Sequence, residues 1–146
     1  MDLCFLDSEA SLSEFIAKFE DGTWPKSQWR HGHHLAVAAC YLEDEAFPMD
    51  RMRERIKFYN VCQGGQNTED AGYHETLTHF WLLTVKAYMT TLPDDRGRLE
   101  KVRLVVERFA PERDLFTKYY DFDVVASREA RALWMEPARA VEAGGF

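Results

Sequence analysis

Apolar residues in this chain recur every three or four positions, and no segment alternates apolar and polar residues for long enough to build a sheet. Only the run Asp121 to Val125 has a strand-like look, and five residues without a partner strand make no sheet. The pattern therefore predicts an all-α class: one helical domain over residues 1–146, a bundle of about six helices.

Punctuation along the chain places the helices. Ser11 followed by Glu14 reads as a capping box, and Leu12, Phe15, Ile16 and Phe19 then keep helical spacing until Asp21-Gly22. A loop with Trp24, Pro25 and Trp29 leads into a second helix from about His31 to Asp44. Pro48 opens a third helix, which Gly64-Gly65 ends after Gln63. The fourth and most apolar helix runs from Tyr73 to Leu92, stopped by Pro93. Asp94 or Asp95 is the expected cap of a fifth helix with Leu99, Val102, Val106 and Phe109 on one stripe. Pro111 opens a short sixth piece through Tyr119, and Ser127 caps a last helix with Ala130 and Trp134 inward. A frayed tail is expected over 137–146.

Composition narrows the function classes. With 46% hydrophobic and 14% aromatic residues the chain can bury a continuous core, so disorder is excluded. The 18 Lys and Arg against 25 Asp and Glu give a net charge of -7, which disfavours nucleic acid and anionic membranes as partners because both need a cationic face. The basic rhythms Arg51, Arg53, Arg55, Lys57 and Arg96, Arg98, Lys101, Arg103 spread around a helix and read as solvated surface. Cys4, Cys40 and Cys62 are odd in number and lack CxxC pairing, and MDLCFLD is too acidic and short for a signal peptide. The apolar stretch Phe80 to Val85, like every other in the chain, falls far short of the ~20 residues that span a bilayer. The expected compartment is the cytoplasm, with no membrane segment.

All five histidines fall in two short segments, HGHHL at 31 to 35 and GYHETLTH at 72 to 79. His31, His34, Leu35, Ala38, Tyr41 and Leu42 form one helical stripe, and His74, Leu77, Thr78, Trp81, Val85 and Tyr88 form another. Both stripes are apolar apart from these histidines and Thr78, so His31, His34 and His74 should face inward. Burying three imidazoles is costly unless their nitrogens find partners, and a divalent cation satisfies one nitrogen of each. All three stand near helix N-termini, where the positive dipole end favours the neutral, ligating form. The expected metal set is His31, His34 and His74 around zinc, iron, nickel, copper or manganese, which imidazole chemistry does not separate. His33 shares a stripe with Val37, Cys40 and Asp44. His79 shares one with Glu75, Leu82 and Lys86, on the wetter side, so both rank lower.

Glu75 directly follows a candidate ligand, as the Glu of HExxH follows its first histidine, and can serve as general base or carboxylate ligand. The zincin geometry itself is unavailable, because His79 falls five residues after His74, about 140° around the helix. Tyr73, Thr78, Asn60 and Asn67 are candidate substrate contacts, and Thr76 adds a further hydroxyl. Trp24, Trp29, Tyr59 and Trp81 are candidate pocket walls or core. The loop Gly64 to Gly72 is a candidate lid. Against this stands a simpler assignment, in which the histidines are hydrogen-bonded core residues and HGHH is a capping cluster.

The pairing of WRHGHHLAVA with GYHETLTHFW resembles a group of small bacterial proteins of uncharacterised activity that share HxxHL and YHETxT segments. The resemblance covers roughly residues 29 to 82. It implies that His31, His34, Leu35, Tyr73, His74, Glu75, Thr76 and Thr78 form the site, without His33 or His79, and it supplies no reaction. At the level of architecture alone, a helical bundle with three metal-binding histidines is also similar to the DinB-like metalloenzymes. Three functions are consistent with these residues. One is a metal-dependent enzyme acting on a small molecule, either a hydrolase or lyase or a non-haem iron oxygenase. The others are a non-catalytic metal- or ligand-binding protein with an acidic partner surface, and a purely structural histidine core.

Overall fold

The computed structural model describes residues 3–139. Among them are six α-helices and no strand: α1 (Glu9–Glu20), α2 (His31–Asp44), α3 (Met49–Cys62), α4 (Glu75–Met89), α5 (Arg98–Phe109) and α6 (Arg128–Ala132). This is the all-α bundle that the periodicity predicts. None of these helices is long and apolar enough to cross a membrane.

Helix α2 packs along both α5 and α4, and α3 closes on α4 and α1. Its buried residues, Gly32, His33 and every position from Leu35 to Tyr41, surround the whole helix. A helix apolar on all sides belongs in the interior, and the alanines at 36, 38 and 39 let neighbours approach closely. The stripe of His33 is therefore interior: His33 and Val37 are each 1% exposed and Cys40 3%.

Several helix ends are set differently from the local reading. The α1 cap is Ser8, not Ser11: the Ser8 hydroxyl accepts from the Ser11 N–H, and the Ser11 hydroxyl accepts from the Ser8 N–H, each at 3.0 Å. A serine here fills the reciprocal role usually given to Glu or Gln. The N-cap of α5 is Gly97 rather than Asp94 or Asp95, and Gly97 has no side chain to cap the helix. Its cap comes from another helix, because Glu9 accepts from the Leu99 N–H at 3.0 Å and from Arg98 at 2.8 Å. Residues 110–119 form two 3-10 turns, Ala110–Glu112 and Leu115–Lys118.

After α6, capped by Ser127 as expected, the chain is strapped back onto the bundle. Buried Thr76 donates to the Leu133 carbonyl at 2.6 Å and accepts from the Met135 N–H at 3.0 Å. Tyr120 donates to the Met135 carbonyl, and the Ala138 N–H to the Tyr119 carbonyl, both at 2.7 Å. The order therefore extends past Pro137, where fraying was expected to begin. Residues 140–146 of that expected tail lie outside the described residues.

Candidate functional site

The N-terminal ends of α2 and α4 converge on a cavity of about 490 Å³, within the size range of small-molecule sites. His31, His34 and His74 all line it, together with Asn60, Tyr73 and Thr78. The two histidine segments thus meet at one place. Buried Leu35, Ala38, Met52, Ile56 and Leu82 supply apolar surface, while exposed Arg113, Asp114 and Val125 mark its rim. His33, His79, Glu75 and Asn67 do not line it.

Convergence does not make the three cavity histidines equivalent, because each ring has different partners. His74 is the N-cap of α4, and its Nδ1 accepts from the Leu77 N–H at 3.2 Å. Its Nε2 lies 2.9 Å from the Val124 carbonyl. A carbonyl can only accept, so Nε2 carries the proton and both ring nitrogens are engaged. Burial, opposed by the Val124 carbonyl and assisted by Arg131, holds its pKa below the ordinary value. Each of these features makes His74 a structural cap. In this conformation it has no lone pair to offer a metal, and no group of three or more His, Cys, Asp and Glu side chains among the described residues could hold one.

His31 and His34 are in a different condition. They sit one helical turn apart. The His31 ring meets Trp81 at 4.5 Å, and its Nε2 is buried without a hydrogen-bond partner. Desolvation and the Arg113 charge lower its pKa to about 4, against the Phe109 carbonyl and Asp114. His34 is exposed, its ring open to the cavity and edge-on to Trp29 at 5.0 Å. Desolvation beside the cavity wall, with His31 and His33 nearby, keeps its pKa below the ordinary value. Both rings are neutral at pH 7, each with one donor and one acceptor nitrogen.

His33 is core. Its Nδ1 accepts from the Arg30 N–H at 3.0 Å, closing the first turn of α2. Phe5 stacks on it at 4.5 Å, with Phe15, Trp24 and Trp29 around it. His79 instead stacks on Trp134, at 3.7 Å and 11°, beside Phe47.

Glu75 is the clearest correction to the expected chemistry. Arg53 donates to both of its oxygens, at 2.9 and 2.7 Å, and the Tyr73 hydroxyl donates at 2.6 Å. Burial pushes the carboxyl up, but Arg53 and Tyr73 outweigh it and hold the pKa below the ordinary carboxylate value. A carboxylate saturated this way is a poor proton acceptor. It also faces a separate depression of about 280 Å³ with Lys57 and Arg131, rather than the histidine cavity. The basic stretch on α3 is thus partly committed to holding this residue.

The loop expected to act as a lid is tied to its surroundings by side-chain hydrogen bonds. Asn67 accepts from Asn60 at 2.9 Å and from the Tyr73 N–H at 3.1 Å, and donates to the Lys57 carbonyl at 3.0 Å. Gly72, at φ +82°, lies where a Cβ would come within 2.1 Å of the Gln66 carbonyl. Only glycine fits this turn. Asn67 is therefore a loop clasp, whereas Asn60 reaches both the clasp and the cavity. Arg113 and Asp114, which the sequence reading missed, arrive from the turns after α5, a segment without any motif. No protein-family model, curated protein or solved structure matches the chain.

Proposed function

We propose that the protein binds a small organic molecule in this cavity and acts on it through His31 and His34. The observation that carries the reading is the pair of neutral imidazoles, one turn apart, lining a cavity of about 490 Å³, with the buried Nε2 of His31 unpartnered. Buried polar atoms normally find partners, and an orphan beside a cavity is the kind of group a ligand satisfies. Two such rings can orient a ligand and move a proton at its polar end. The test is a small-fragment screen read by NMR on the histidine ring resonances. Binders should shift His31 and His34, and His34→Leu should weaken them at least tenfold. Binders that leave both rings unmoved would sink the reading.

A second reading is favoured by the same orphan nitrogen. A divalent cation, of the zinc, iron, nickel, copper or manganese class, would be held by His31 and His34 alone, with ligand and water completing its shell. His74 and Glu75 do not fit as ligands, since their hydrogen bonds engage them elsewhere. Elemental analysis of protein purified without chelators tests it. Stoichiometric metal that survives Glu75→Gln but is lost in His31→Ala supports the site; metal unaffected by His31→Ala removes it.

A further inference from the structure

Resting on the small-molecule reading above, we propose that the cavity's ligand is a small monocarboxylate with an apolar body, its carboxylate held by Arg113 at the rim.

Arg113 lines the cavity from its exposed edge and forms no ion pair or hydrogen bond with the described residues. That is unusual here. Arg51, Arg53, Arg98 and Arg128 each pair with at least one carboxylate. With seven more negative than positive charges on the chain, an arginine left unpaired beside a cavity is positioned for a ligand's charge. Guanidinium matches carboxylate with two parallel hydrogen bonds, which gives orientation as well as attraction.

The rest of the cavity limits what can carry that carboxylate. Asp114 shares the rim, so a polyanion such as a nucleotide polyphosphate would meet repulsion from Asp114 and from the acidic surface. Beyond the rim, Met52, Ile56, Leu77 and Trp81 offer apolar surface to a hydrocarbon or aromatic body. A ligand anchored at Arg113 would lie beside His31, whose charged form Arg113 disfavours. The carboxylate would thus dock next to a neutral ring whose proton is directed at the Phe109 carbonyl and whose unpartnered Nε2 can accept from a donor group on the ligand.

Hydrocinnamate and its uncharged amide, hydrocinnamamide, are matched probes for isothermal titration with the full-length protein. The acid should bind at least tenfold more tightly than the amide, and Arg113→Gln should reduce acid binding to the amide's level. Because Arg113 is exposed and makes none of the fold's hydrogen bonds, this variant should keep the parent Tm. Equal binding of acid and amide, or acid binding unchanged by Arg113→Gln, overturns the carboxylate assignment while leaving a small-molecule cavity in place. Failure of both probes to bind overturns the monocarboxylate proposal, and a fragment screen with no binders overturns the cavity reading as well.

Discussion

His33 and His34 are consecutive residues on one helix, yet one is sealed in an aromatic box and the other opens into a cavity. The box around His33 is closed on every side, with Phe5 stacked on the ring and the Arg30 N–H bonded to its nitrogen. Around His34 the nearest aromatic, Trp29, meets the ring by its edge, and the remaining space is empty enough to hold a ligand. The same contrast recurs at the start of α4. His74 and Glu75 have every strong hydrogen-bonding position engaged, whereas His31 across the cavity leaves Nε2 orphaned. Residue type does not separate scaffold from chemistry here. The separation lies in whether the protein itself completes each polar atom's hydrogen bonds.

The sharpest way to break this comparison is to truncate both members. His33→Ala removes a fully buried ring and the closing bond of a helix turn, so urea unfolding should show a loss of about 3 kcal/mol. His34→Ala should change stability by less than about 1 kcal/mol, since the ring already borders open space. A loss at His34 as large as that at His33 would show that the cavity ring is structural after all. Glu75→Gln should have a middling effect, a destabilisation of about 1–3 kcal/mol from weakening the Arg53 and Tyr73 contacts. Fragment binding at the histidine cavity should survive it. Loss of that binding with the fold intact would return Glu75 to the chemistry.

The same comparison has a pH dependence. His31 has a pKa lowered to about 4, below its ordinary value near 6.5, so the unfolded chain takes up its proton first as pH falls. Stability from the neutral ring is therefore complete above about pH 6.5 and is lost on acidification toward pH 4. His34 and His74 are lowered in the same direction and add to the slope. Thermal melts between pH 7.5 and 4.5 should show Tm falling on the acid side, with a shallower fall in His31→Gln. An identical slope in that variant would assign the acid sensitivity to other groups.

Much of this was legible locally. The spacing of Leu35, Ala38 and Leu42 set the α2 boundaries, and Ser127 marked the cap of α6, because both depend on residues a turn apart. The cavity position of His31, His34 and His74 was legible too, since an apolar stripe must face inward wherever it packs. What stayed hidden were relations across the fold. Ser11-Glu14 looked like a capping box, and Glu9 gave no sign that it would cap α5. Thr76 looked like a helix threonine, and its bonds to Leu133 and Met135 join residues almost sixty positions apart.

The sequence by itself determined the helical class, most helix boundaries and the meeting of two histidine segments, because helical periodicity and caps are short-range physics. Tertiary structure alone decided which histidine nitrogen is left without a partner. His74 is closed by a carbonyl fifty residues away at Val124, Glu75 is claimed by Arg53 from α3, and Arg113 reaches the rim from a turn without motif. Hydrogen-bond satisfaction depends on which groups the packing brings together, and spacing along the chain does not encode it.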